Sequence, residues 1–291
     1  METESIIGVF LMIFTAAVTY KGLSDRAYQE RYMFHVDRIL VSKEYSRLFS
    51  SGFLHVNWIH FIFNMFALLS FSFTVEVLLG IPSFFFIFII SLVGGNLFAL
   101  AIHRNHGDYR AVGASGAVSG VMAASIILFP TSSIRLLFIP IDIASWLVAI
   151  LFIAVSIFGI KSQRDNIGHE AHLGGLLAGA LSTLIIRPSL AITNWWIVLL
   201  IIIPIVIFII LIAVRPEILL IPGKPWKSKK TQKAKFRRKA NRASDKVTKR
   251  GPANMKAIVS VDGILEKIKR EGIDSLSQRE RKILDKYREE L

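Results

Sequence analysis

The sequence is that of an all-α, polytopic membrane protein, and three features lead to that expectation. Hydrophobic residues make up 53% of the 291 positions. Mean hydropathy is +0.53. Apolar runs near the ~20 residues that a helix needs to cross ~30 Å of hydrocarbon recur seven times. The runs cover 5–20, 54–79, 83–102, 113–129, 141–160, 168–186 and 194–214, and Pro130, Pro140 and Pro188 punctuate them as helix breakers should.

The first run has Glu2 and Glu4 ahead of it and no Lys or Arg before Lys21. That is the wrong charge for a cleaved signal peptide, so it is read as a membrane helix. The sequence has no cysteine, which excludes disulfides and thiolate metal sites. Charge is split unevenly. Residues 1–214 hold 12 Lys+Arg against 11 Asp+Glu, and residues 215–291 hold 23 against 10. From Arg215 to Arg250 there are 14 basic and 2 acidic residues, a composition that favours anionic lipid as the partner of a membrane-tethered tail. No nucleic acid is expected. After Gly251-Pro252 the pattern becomes helical again. Ile258 to Lys269 reads as one helix ending near Gly272, and Ser277-Gln278-Arg279-Glu280 is a capping box that opens a second helix carrying Ile283, Leu284 and Tyr287.

Four polar residues stand near the starts of alternate spans: His60 and Asn64 on the second, Ser115 on the fourth and His172 on the sixth. Antiparallel helices bring these starts to one side of the bilayer, so the four side chains are expected at one depth. His60 and Asn64 are four apart, on one helix face, and both can donate hydrogen bonds to a developing oxyanion. Ser115 at a helix start gains the backbone N–H groups and the positive end of the helix dipole. His172 can accept the Ser115 proton as general base and return it to a leaving amine. Gly116 and Gly120 on one span, and Gly175 and Gly179 on the other, form G-x-x-x-G pairs that let two membrane helices approach closely. Each residue also has a plainer reading. A Ser among glycines packs helices, a lone membrane His relays protons or transports ions, and His60 and Asn64 can bridge helices. The metalloprotease motif H-E-x-x-H is missed by one residue in His169-Glu170-Ala171-His172, so no metal or other cofactor is expected. His55, His103, His106 and His169 are read as interfacial.

The run Arg47-Leu48-Phe49-Ser50-Ser51-Gly52-Phe53-Leu54-His55, followed by His60, Asn64-Met65, Gly113-Ala114-Ser115-Gly116 and Ala171-His172-Leu173-Gly174-Gly175, resembles the rhomboid intramembrane serine proteases of bacterial type. The resemblance implies a six-helix membrane core over residues 1–190. It implies a Ser115 nucleophile, a His172 base, oxyanion donors at His60 and Asn64, a membrane-dipping loop over 21–52 and a mobile fifth helix as substrate gate. Its substrates would be transmembrane proteins, and its location a bacterial cell membrane. Two positions depart from the family pattern. Ser119 stands where some members place an aromatic residue against the His, and Ser46-Arg47 stands where the family has Trp-Arg. Beyond the core, 191–214 is read as a seventh span, 215–255 as a basic linker and 256–291 as a helical hairpin. Two rival functions remain: a proteolytically inactive relative that binds membrane clients, and a small-solute transporter, which would need ionisable groups at mid-helix. Orientation is pulled two ways. The resemblance puts the active site outside, whereas the Lys/Arg-rich loops 21–52, 103–112 and 161–167 favour that side as cytoplasmic.

Overall fold

A computed structural model describes residues 5–135, 142–162 and 167–215 and, near the C-terminus, 267, 268, 270, 272, 275–278, 280 and 281. Pro140 and nearly all of the basic linker lie outside the described residues. The chain divides into two units, 1–224 and 225–291.

Seven long helices form the first unit: α1 (Ile6–Ser24), then, after the short α2 (Arg26–Tyr32), α3 (Val36–Leu40) and α4 (Arg47–Ser50), α5 (Trp58–Leu79), α6 (Ile81–His103), α7 (Ser115–Leu128), α8 (Ser145–Ser162) and α9 (His169–Ile186), and finally, after the short α10 (Leu190–Thr193), α11 (Trp195–Val214). Each predicted run falls on one of them, and the protein is an all-α polytopic membrane protein. Four stretches among the described residues are long and apolar enough to cross a membrane: α1, the 46-residue stretch Trp58–His103 that holds α5 and α6, α8 and α11. α5 and α6 are separated only by Gly80, whose φ of 81° is a left-handed conformation that suits glycine. Two small antiparallel ladders were not expected: β1 (Phe34–His35) with β2 (Arg110–Ala111), and β3 (Ser133–Arg135) with β4 (Asp142–Ala144).

α6, α7 and α9 form the densest part of the bundle. Every residue of α7 from Gly116 to Leu128 is buried, so this helix is enclosed by protein on all sides. The small residues explain how. A Cβ on Gly175 would lie 2.0 Å from the Gly116 carbonyl oxygen, and one on Gly179 would lie 2.3 Å from Gly120 Cα. The two G-x-x-x-G pairs therefore face each other, and α7 and α9 touch backbone to backbone. α1 is fastened to the far end of α5. Ser5 caps α1 by accepting from the Gly8 N–H at 2.8 Å, donates to the Glu76 carboxylate, and Glu76 also accepts from the Ile7 N–H at 3.2 Å.

In the second unit, the Glu280 carboxylate accepts from the Ser277 N–H at 2.8 Å and the Ser277 hydroxyl accepts from the Glu280 N–H at 3.4 Å, the reciprocal bonds of a capping box. Lys267 Nζ lies 3.1 Å from Glu280 Oε2, and Gly272 has φ 83°. Ile283, Leu284 and Tyr287 lie outside the described residues.

Candidate active site

α7 has 14 residues, a rise of ~21 Å, which is shorter than the hydrocarbon layer. Ser115 is its first residue. Ser115 is half-buried, and the N–H groups of the first turn have no acceptor within their own helix. The segment before it is held by Gly113, whose φ of 139° is a conformation that L side chains rarely adopt, and whose N–H donates to the Ser51 carbonyl at 3.0 Å. Ser51 is fixed in turn by Asn96 of α6, whose Nδ2 donates to the Leu48 carbonyl at 2.7 Å and to Ser51 Oγ at 3.2 Å.

His60 and Ser115 flank Gly113. A Cβ at that glycine would lie 3.2 Å from His60 Nε2 and 3.9 Å from Ser115 Oγ. The start of α5 is capped by Asn57, which accepts from the His60 N–H at 2.8 Å. Buried His60 Nδ1 has no hydrogen-bond partner among the described residues. Asn64 is buried one turn deeper, and one amide hydrogen donates to the His60 carbonyl at 2.9 Å, which leaves the other for a ligand.

His172 sits on the first turn of α9, against the start of α7. A Cβ on Gly116 would lie 3.2 Å from the Ala171 carbonyl oxygen. The helix ends that carry Ser115 and His172 are thus brought together, although among the described residues no hydrogen bond joins Ser115 Oγ to His172. The imidazole packs between two rings: Phe152 of α8, with centroids 5.4 Å apart at 31°, and His169, at 5.6 Å and 79°. Ser119 instead donates to the Ser115 carbonyl at 2.6 Å. Sequence reasoning missed Phe152, because nothing local to α8 marks which of its aromatic residues meets the site.

Three histidines expected at the interface are buried, His55 and His169 against neighbouring helices and His103 between Glu170 and Tyr109. His55 is fully buried. Its Nδ1 is 2.9 Å from Thr19 Oγ1, and that hydroxyl is 3.2 Å from the Phe53 carbonyl. Thr19 has one proton to give. If it goes to Phe53, His55 donates from Nδ1 and Nε2 is left as a bare, buried lone pair. Burial first, and then neighbouring His60, push His55 down to about 3. His103 at the end of α6 lies 3.0 Å from Glu170 Oε1 of α9, is stacked on Tyr109 at 3.6 Å and 9°, and lies 3.1 Å from His106. His169 is buried against Gly159 of α8. His106 alone of the four stays exposed. Among the described residues no group of three or more His, Cys, Asp or Glu could hold a metal ion.

The fold and this arrangement define a polytopic helical membrane protein whose polar site is built from the starts of α5, α7 and α9. The rhomboid domain matches residues 42–189, half of the chain, and the chain belongs to the rhomboid family. It is similar to mitochondrial Rhomboid protein 1 of Saccharomyces cerevisiae, with 31% identity over 49% of this chain and 43% of that protein. It is also similar to mitochondrial RHOMBOID-like protein 12 of Arabidopsis thaliana (24%, over 65% and 60%) and to the rhomboid protease GluP of Bacillus subtilis (29%, over 48% and 26%). The matches thus span between a quarter and three fifths of the relatives' own length. Residues 258–290 match DUF6576, a family of unknown function.

Proposed function

We propose that this protein is an intramembrane serine endopeptidase that cleaves transmembrane proteins near one membrane surface through a Ser115–His172 dyad. The observation that carries the reading is the backbone contact of α7 with α9 at Gly116, Ala171 and Gly175, which holds a hydroxyl and an imidazole at the ends of two touching helices. His172 removes the Ser115 proton as the hydroxyl attacks the carbonyl carbon of the scissile bond. The oxyanion is met by the open N–H groups at the start of α7, by the free amide hydrogen of Asn64 and by His60. His172 then protonates the leaving amine, and water, activated by the same imidazole, releases the acyl group. The Ser115–His172 hydrogen bond is expected to form with substrate present, since catalytic bonds often tighten only then.

The substrate's peptide bond must leave its helical hydrogen bonds before it can be attacked, so helix-weakening, small-residue segments are the expected cleavage sites. Two of the three relatives named above carry mitochondrial names and one is bacterial. The expected bacterial cell membrane therefore gains no support from them, and the proposal is confined to a multi-pass protein in the membrane of its substrates. The test is cleavage of a membrane-embedded substrate by purified enzyme. Ser115→Ala and His172→Ala should each abolish turnover with the fold retained, and the double variant should be no worse than either single one. A fluorophosphonate should label the wild type at Ser115 and leave Ser115→Ala unlabelled. Cleavage surviving in Ser115→Ala sinks the reading, and membrane clients bound but left intact by the wild type would favour the non-hydrolytic alternative.

A further inference from the structure

Between α1 and α5 the chain builds a small surface unit from α2, β1, α3 and α4, completed by β2 from the loop before α7. A polar cavity of about 790 Å³ opens in it, large enough for a small ligand or a lipid headgroup. Arg31, Arg38, Arg47 and Arg110 line it with His35, against two carboxylates. Both carboxylates are already engaged. Glu44 lies between two arginines, 2.6 Å from Arg47 Nε and 3.4 Å from Arg38 Nη1, and the Arg47 hydrogen bond foremost holds its carboxyl below the usual range. Glu30 pairs at 3.3 Å with Arg26, which is not part of the lining. Among the described residues Arg31 and Arg110 have no carboxylate within ion-pair distance.

The cavity wall is also preorganised. Buried Arg47 donates from Nη1 to the Glu30 and Met33 carbonyls, each at 2.8 Å, which fixes the turn after α2. The β1–β2 register sets His35 directly opposite Arg110. His35 Nδ1 accepts from the Arg38 N–H at 3.2 Å, so the neutral ring keeps its proton on Nε2 as one more donor. Burial, then the charges of Arg110 and Arg47, lower the His35 pKa, which keeps the ring neutral at pH 7. The site therefore offers donors and unmatched positive charge, the complement of a phosphate.

Its flank is apolar. Phe49 on α4 meets Phe53 at 5.1 Å, and Phe53 meets Phe14 of membrane-crossing α1 at 5.3 Å. Phe14 and Phe49 are exposed, as is Val41, at 75%, just after α3. A soluble acidic peptide would leave this apolar flank unused, whereas a lipid would cover both surfaces.

We propose that this cavity binds the phosphate of an anionic lipid headgroup, with the acyl chains lying against Phe49 and Phe14. A phosphate shared by Arg31 and Arg110 would tie α2 to β2, and β2 leads within two residues to Gly113. Lipid binding would thereby steady the segment that presents Ser115. That effect on turnover rests on the proteolytic reading above; the binding itself does not.

The test uses the full chain, stripped of lipid in detergent, with phosphatidylglycerol, phosphatidylcholine or inorganic phosphate added and bound molecules counted by native mass spectrometry. Wild type should retain phosphatidylglycerol in preference to phosphatidylcholine. Arg31→Gln/Arg110→Gln should bind it at least tenfold more weakly. Both proteins carry the same basic tail, so its lipid binding cancels in the comparison. A photoreactive phosphatidylglycerol should crosslink within residues 27–47 of the wild type, a readout that needs no variant. Equal binding by wild type and double variant, or crosslinking confined to the tail, overturns the proposal. Inorganic phosphate binding as tightly as the lipid would overturn the lipid assignment and leave a soluble phosphate site.

Discussion

An imidazole that takes a proton and gives it back must keep its ring in one plane. With Ser119 in place of an aromatic residue, the ring packed on His172 is Phe152, from a different helix, and in the proposed reaction it would hold the imidazole. An aromatic pair of this kind is worth ~0.5–1.5 kcal/mol. Phe152→Ala should therefore lower kcat roughly threefold to tenfold with KM little changed, and Phe152→Tyr should restore most of the loss. A KM effect without a kcat effect would place Phe152 in substrate binding instead. His55 supports a separate expectation. Its folded pKa lies below its unfolded one, so the unfolded chain takes up the proton first. Stability should fall as pH drops below about 6.5 and level off near 3, by up to about 1.4 kcal/mol per pH unit from this group. His35 and His106, also lowered, add in the same sense. Thermal unfolding in detergent between pH 7 and pH 4.5 should show that slope in the wild type and a shallower one in His55→Gln; parallel slopes would mean that His55 takes up no proton on unfolding. That Ser115, His172 and His60 stand at or near helix starts, with Asn64 one turn further along, was legible because the apolar runs mark where each helix begins. Phe152 and the burial of His55 depend on which surfaces meet, and no local pattern encodes that.

Between helices, glycine decides the distance. Gly175 and Gly179 can be read as small residues suited to close packing, but only the structure shows that they face Gly116 and Gly120. Because a Cβ on Gly175 would strike backbone, which cannot rotate away, Gly175→Ala should force α7 and α9 apart. The expected result is loss of most activity together with a lower melting temperature, both measured on purified protein. Gly168→Ala, at the N-cap just before the same helix, is the control, since its Cβ would meet nothing closer than 3.8 Å. The contact between α6 and α9 has a polar clamp as well, His103 with Glu170, both buried. Truncating one member leaves the other's facing polar atom buried without this partner, which is costly. Glu170→Ala should therefore destabilise the protein more than the paired His103→Ala/Glu170→Ala change does, a double-mutant comparison that unfolding midpoints can read. Neither residue stands out in the sequence as a partner of the other, because they are 67 positions apart.

Among the described residues, the apolar runs located all seven long helices, while the two β ladders passed unnoticed because each strand has only two or three residues. The consequence for topology follows from counting. α11 is continuous through Pro204 and has the highest mean hydropathy of the candidate spans, 3.8. If all seven long helices cross, the end of α11 falls on the same side as the loop between α1 and α5, which is also the side of Ser115 and His172. On that count the 14 basic residues from Arg215 to Arg250 would follow the same side as the Lys/Arg-rich loops, as the charge rule expects. The Cys-free chain allows single cysteines at Ser42, Ser132 and Ser244. An impermeant maleimide applied to intact cells should treat 42 and 244 alike and 132 oppositely. Labelling at 132 alone would put the active site on the cytoplasmic face, as the charges favour; labelling at 42 and 244 together would put it outside, as the family resemblance implies. If 42 and 244 fall on opposite sides, α11 does not cross the membrane, and Pro204 at its centre becomes the residue to replace first.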